Sequence, residues 1–313
     1  MKPWTKSRGL IAASFTPMTK NGSLNLVMVK PYIDHLVSQG VTQVYLNGTS
    51  GEFPSLSVSE RKQLAETWKT EAEGKLTRLI VHCGAGSLVD TQELAEHAES
   101  IGADCVAVVS PTYFKPQTTA SMAAYCAEVA KRCSRTPFMY YHYPGATGVH
   151  NVRGSDFLRE AGKLIPNLVG MKFTCTDLHD AAEALTLDGG KYDVIVGGET
   201  ILLSALAMGI QAGIGIAFSL IARPSARIID AFNQGNLEAA RKDQYKVHEF
   251  WRETHDQQDG QDLIRSFKTA VGLAYGVDLG PTRLPITPAS DQDKERIRRA
   301  LERVDFHRWN NGP

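Results

Sequence analysis

The chain has 313 residues, with 34 Lys and Arg balanced by 34 Asp and Glu, so it lacks the overall field that draws nucleic acid or an anionic membrane surface. The roughly 20 consecutive apolar residues needed to cross a bilayer do not occur, and Leu10–Phe15 is too short for the core of a secretion signal. Five cysteines without a Cys-x-x-Cys pair read as reduced thiols in a cytoplasmic setting, and the expected partner is a small molecule or another copy of the chain.

In chain order, short apolar runs fall at Leu10–Phe15, Gln43–Leu46, Arg78–His82, Cys105–Val109, Phe138–Tyr141, Leu168–Lys172, Val194–Val196 and Gly213–Ile216. Between them lie amphipathic stretches, among them Leu26–Gln39, Ser59–Glu73, Asp90–Ile101, Ala120–Cys133 and Ala205–Met208. Some open on Ser or Asp, which cap helix N-termini. Near-continuous apolar strands are buried on both faces, which requires a parallel sheet covered by helices, either closed as a barrel or open and doubly wound. Eight units favour closure, so the expected fold is α/β, a (β/α)8 TIM barrel.

From about Arg223-Pro224 the pattern becomes purely helical, over Ala226–Asn233, Leu237–Thr254, Asp262–Tyr275 and Asp291–Val304, with a Gly- and Pro-rich loop at Gly276–Pro288. The expected organisation is a catalytic barrel over 1–223, then over 224–313 the last barrel helix and a helical extension packed on the barrel. The basic run from Lys294 to Arg303 is interleaved with Glu295 and Glu302 and reads as a solvated helix face.

Active sites of such barrels lie at the C-terminal ends of the strands, which singles out polar residues that close an apolar strand. Asn47-Gly48-Thr49-Ser50-Gly51-Glu52 follows the second strand; its glycines permit a tight turn that offers N–H groups and hydroxyls to a carboxylate. Tyr141 ends the fifth strand and Lys172 the sixth. A lysine is rarely buried without a function, and in an apolar pocket it becomes the free amine that attacks a ketone. Tyr113 lies in a Pro-bounded loop after the fourth strand. Together these groups make a mechanism: Lys172 attacks the keto carbon of a 2-keto acid, Tyr141 moves protons, and Thr49 and Ser50 hold the carboxylate. The protonated imine accepts the electron pair of the breaking carbon–carbon bond, so the expected cofactor set is empty, with no metal and a covalent Schiff base on Lys172. His82 and Cys83, adjacent on one strand, point to opposite faces and are expected not to share a metal.

The opening Ala13-Ser14-Phe15-Thr16-Pro17-Met18, the Gly48–Glu52 loop, Ser59-Glu60-Arg61, Tyr141-His142-Tyr143-Pro144 with Thr147-Gly148, and Gly170-Met171-Lys172 resemble the sialic acid lyase and dihydrodipicolinate synthase superfamily of pyruvate-dependent class I aldolases. The likeness runs nearly end to end. It implies Lys172 as the Schiff-base lysine, Tyr141 as the proton-transferring tyrosine, Thr49 and Ser50 as carboxylate binders, Tyr113 as a tyrosine lent across a subunit interface, and a homotetramer. Within the superfamily the chain is most similar to the sialic acid lyases, through Phe138–His142, Lys172-Phe173-Thr174, Leu202–Leu206 and Pro281–Pro285. The synthases carry an arginine five residues after the tyrosine; here Ala146 stands there.

The expected substrate contacts are Thr49, Ser50, Thr174, Gly197, Glu199, Thr200, Ile214 and Ile216. Where sialic acid lyases carry Asp-Glu and a later Ser toward the sugar's polyol tail, this chain has Glu199-Thr200 and Ile216. The expected activity is pyruvate release from a 2-keto-3-deoxy sugar acid, N-acetylneuraminate leading. A related aldolase, dehydratase or condensation reaction, or a non-catalytic keto-acid sensor, stands as the alternative.

Overall fold

A computed structural model describes residues 2–255 and 262–312. Eight parallel strands close in sequence order into one barrel: β1 (Gly9–Ala13), β2 (Gln43–Leu46), β3 (Arg78–His82), β4 (Cys105–Val109), β5 (Phe138–His142), β6 (Leu168–Phe173), β7 (Asp193–Gly197) and β8 (Ala212–Gly215). The expected barrel is thus present, with strand ends displaced by one or two residues. Phe15 lies beyond β1 and Ile216 beyond β8.

The strands alternate between two cores, as the two-residue period requires. Outward residues such as Val44, Leu46, Val106, Val108, Met171 and Phe173 pack under the helices, whereas Ile11, Tyr45, Ile80, Ala107, Met139, Tyr141 and Ile195 fill the barrel interior. Tyr141 of β5 is in register with Lys172 of β6, and Lys172 with Ile195 of β7, so lysine and tyrosine share the inner face. That register depends on a shift at the start of β6: Phe138 pairs with Leu168 but Met139 with Gly170. Val169 is the extra residue of a bulge. It turns inward while Leu168 and Met171 both face the helices. Gly170 is required there, because a Cβ would lie 1.9 Å from the Asp193 carbonyl oxygen.

The covering helices are α1 (Val29–Ser38), α2 (Val58–Glu71), α3 (Leu88–Ser100), α4 (Thr119–Ala130), the one-turn α5 (Pro144–Thr147), α6 (Gly154–Ala161), α7 (Leu178–Gly190), α8 (Leu202–Ala207) and α9 (Phe218–Asn233). Helix α2 begins ahead of the expected Ser59, because Ser57 caps it in a reciprocal pair with Glu60, and α3 begins behind Ser87, not at Asp90. Arg223-Pro224 falls inside α9, just past a kink that divides it. Ile221 is non-helical (φ −115°, ψ 34°), so Pro224 sits in the first turn after a kink, where its missing N–H leaves no hydrogen bond unmade.

Four further helices follow: α10 (Leu237–Thr254), α11 (Asp262–Tyr275), α12 (Asp291–Arg303) and α13 (Phe306–Asn311). Helix α10 packs along α9, and α11 and α12 pack together. Ion pairs of Arg298 and Arg299 with Glu295, and of Arg303 with Glu253, pair much of the basic face of α12. The extension is tied to the barrel by a buried pair, Lys268 Nζ to Glu52 Oε1 at 2.8 Å. Beside it, Arg283 donates to both oxygens of Glu60 and to the carbonyls of Gly22 and Ser55. All five cysteines are free thiols, and among the described residues no helix is long and apolar enough to cross a membrane.

Candidate active site

At the C-terminal mouth of the barrel a cavity of about 90 Å³ is lined by Thr49, Ser50, Tyr141, Lys172, Thr174, Gly197, Glu199, Ile214 and Ile216, with Tyr143, Trp251, Leu263 and Ile264 closing it. The residues expected from five different strand ends therefore converge on one space. Thr200 does not line it; its carbonyl accepts from Gln244 and His248 of α10. Tyr113 stands 88 % exposed, its ring edge-on to the exposed Phe114, away from the cavity of its own chain.

Lys172 is 5 % exposed, and its ammonium position lies 4.3 Å from the ring centre of Tyr45 and 4.1 Å from that of Tyr141. Burial pulls its pKa down to about 7, against the opposing charge of Glu199, which raises it. A large share of the side chain is thus the neutral amine at neutral pH. The aromatic floor beneath it is packed edge to face: Tyr45 and Tyr141 meet at 5.7 Å, and His82 lies 5.9 Å from Tyr141.

His82 has a structural assignment. Its Nδ1 donates to the Asn47 carbonyl at 2.8 Å, leaving Nε2 to accept from the Val109 N–H. Burial holds it neutral, well below the ordinary imidazole value. Cys83 lies in the outer core, on the opposite face of the strand. His142 likewise stacks outside on Phe173, on the reverse side from Tyr141.

The phenol of Tyr141 lies 3.2 Å from Thr49 Oγ1, and burial raises its pKa, so it holds its proton until a partner takes it. Thr49 sits in a turn bracketed by two non-glycine residues with left-handed backbone, Asn47 and Glu52, each at φ 58°. Such conformations are disfavoured and persist only where surroundings enforce them. Here Asn47 Nδ2 donates to the Arg61 carbonyl, and Glu52 is fixed by Lys268 and by the Arg283 N–H.

Glu199 is fully buried, and desolvation lifts its carboxyl to about 7. One oxygen accepts from the Ala217 N–H at 2.5 Å. Its close packing on β8 requires Gly215, where a Cβ would lie 2.2 Å from Oε1; at Gly197 a Cβ would lie 1.8 Å from Thr174 Oγ1. These two glycines make room for the side chains of Glu199 and Thr174.

The model of the dihydrodipicolinate synthetase family matches residues 6–304. The chain belongs to the dihydrodipicolinate synthetase family. Among its family relatives, the N-acetylneuraminate lyase of Mus musculus is 36 % identical over 97 % of this chain and 94 % of its own. The N-acetylneuraminate lyase of Gallus gallus is 38 % identical over 97 % and 98 %. Among solved structures of the family, Proteus mirabilis N-acetylneuraminate lyase superposes with a TM-score of 0.91 at 34 % identity, covering 96 % of this chain and 100 % of that one.

Sequence reasoning missed Tyr45, Tyr143, Trp251, Leu263 and Ile264. Tyr45 was open to inspection as an inward residue of β2. The last three had no local signal, since helices α10 and α11 are brought over the mouth only by packing between segments distant in sequence.

Proposed function

We propose that the protein is a class I aldolase that cleaves a 2-keto-3-deoxy sugar acid to pyruvate and an aldehyde, with N-acetylneuraminate as substrate and N-acetylmannosamine as the second product. The observation that carries this reading is a buried, partly neutral lysine at a barrel mouth beside a tyrosine linked to a threonine hydroxyl. The lyase relatives supply the sugar.

The neutral amine of Lys172 attacks the keto carbon, giving a carbinolamine. Tyr141 donates its proton to the departing hydroxyl, water leaves, and an iminium remains. The phenolate then takes the proton of the hydroxyl on the carbon that becomes the aldehyde, while the electron pair of the carbon–carbon bond moves into the iminium. The enamine so formed is protonated at carbon, and hydrolysis frees pyruvate and Lys172. No step needs a metal ion or other cofactor.

Thr49 and Ser50 hold the carboxylate, and Thr174, Gly197, Glu199, Ile214 and Ile216 face the rest of the substrate, while Thr200, which the sequence also offered, is turned toward α10. Thr49 also joins Tyr141 to a proton path that Tyr113 completes from a partner subunit, in a homotetramer acting in the cytoplasm. The exposure of the Tyr113-Phe114 pair supports that placement, since large aromatics concentrate at interfaces.

The test is pyruvate release from a panel of 2-keto-3-deoxy sugar acids that includes N-acetylneuraminate. Turnover of that substrate supports the proposal; binding of the panel without pyruvate release favours the keto-acid sensor.

A further inference from the structure

Three buried polar atoms belonging to residues that line the cavity have no hydrogen-bond partner among the described residues: Thr174 Oγ1, Glu199 Oε2 and Trp251 Nε1. Nine in ten or more buried polar atoms in folded proteins are paired, so three orphans around one small space point to a ligand that brings their partners. The indole N–H is the informative one, because it can only donate. It comes from α10, and its residue lines the same cavity as Lys172. Its ring is held edge-on by His255 at 5.3 Å and packs on Phe267 at 5.1 Å, while Leu263 and Ile264, which line the same cavity, have apolar side chains.

We infer that Trp251 is a specificity-determining residue, whose Nε1–H donates to an oxygen acceptor on the aldehyde half of the substrate. This rests on the aldolase reading above and deepens it. The pyruvate half is engaged by Lys172 and the Thr49-Ser50 turn, so Trp251 does not take part in forming the imine. The acceptor is either a carbonyl oxygen of an acylated amine or a hydroxyl of the polyol tail, and the two sources are separable by choice of aldehyde.

The experiment runs the reaction toward condensation, with pyruvate saturating. It compares wild type with Trp251→Phe, which keeps an aromatic ring and removes the N–H, on N-acetylmannosamine, mannose and glyceraldehyde. The expected result is a KM for the aldehyde raised about tenfold with kcat within about twofold, no change for glyceraldehyde, and an unchanged KM for pyruvate. A rise confined to N-acetylmannosamine assigns the acyl carbonyl; a rise shared by mannose assigns a tail hydroxyl. Trp251→His, which retains a ring N–H, should recover part of the loss. An unchanged KM for every aldehyde overturns the inference, as does an equal rise for glyceraldehyde, which would mark a packing effect.

A second measurement needs no variant to fold. The four tryptophans give four indole N–H resonances in nitrogen-labelled wild type, and one should move downfield on binding sugar acid but not on binding pyruvate. Four unmoved signals overturn the inference. If wild type shows neither condensation nor a borohydride-trapped pyruvate adduct, it is the aldolase reading that has failed, not the role of Trp251 within it.

Discussion

Lys268→Met isolates the bond between the helical extension and the loop that carries Thr49 and Ser50. In the native protein the Lys268 and Glu52 side chains are 1 % and 0 % exposed and 2.8 Å apart. The ammonium also donates to the Pro281 carbonyl at 2.8 Å, and Glu52 retains a hydrogen bond from the Arg283 N–H at 2.7 Å. Methionine matches the stem of lysine but leaves a buried carboxylate facing a thioether. Breaking a buried pair from one side costs about 3–5 kcal/mol, and the surviving Arg283 contact places this case near the lower end. At about 2 °C per kcal/mol for a chain of this size, Tm should fall by roughly 6 to 8 °C. The assay is denaturant and thermal unfolding of the single variants and of Glu52→Gln/Lys268→Met. The double variant should be less destabilised than the sum of the singles, because neither partner is left charged and alone. Since Glu52 lies two residues after Ser50, Lys268→Met should also raise KM for the keto acid. A single variant within about 1 kcal/mol of wild type, or strict additivity in the cycle, would refute this account of the pair.

Other expectations follow from the site. Tyr141→Phe should lower kcat by about 10²- to 10⁴-fold, measured in steady-state cleavage, while the fold remains intact by circular dichroism. The rate of adduct formation with pyruvate should rise with pH around 7, because Lys172 attacks as the neutral amine and its value is pulled down to about 7 by burial. The Glu199 charge raises that value, so Glu199→Gln should move the rising limb to lower pH; a limb that stays in place or moves up would contradict the coupling. The limb reports the Lys172 and Glu199 pair jointly, since the two interact. Ile216→Ser puts a hydroxyl where an aliphatic side chain now lines the cavity, and it should lower KM for long-tailed sugar acids about five- to tenfold, with no effect on pyruvate.

The barrel was legible because burial on both faces leaves continuous apolar runs, and eight of them at helix-length spacing admit few other arrangements. The inward facing of Lys172 was not, since it depends on the bulge at Val169, and nothing in Leu168–Lys172 announces which residue is extra. Arg223-Pro224 reads locally like a helix start because the proline sits in the first turn after the kink at Ile221. Thr49, Tyr141, Lys172 and Glu199 could be placed because each closes or follows a strand whose end defines the mouth. Trp251, Leu263 and Ile264 could not, as their position is fixed by how α10 and α11 pack over the barrel, a long-range outcome with no periodic trace. The same limit applies to Glu52: its sequence neighbourhood shows a turn, but its partners Lys268 and Arg283 lie more than 200 residues away.

The most direct test of the central claim is incubation with pyruvate and sodium borohydride, followed by peptide mapping, with Lys172→Ala as control. One reduced adduct is expected, on Lys172, and it should disappear in the control. A folded wild-type protein that yields no adduct, or one carrying it on another lysine, would contradict that claim.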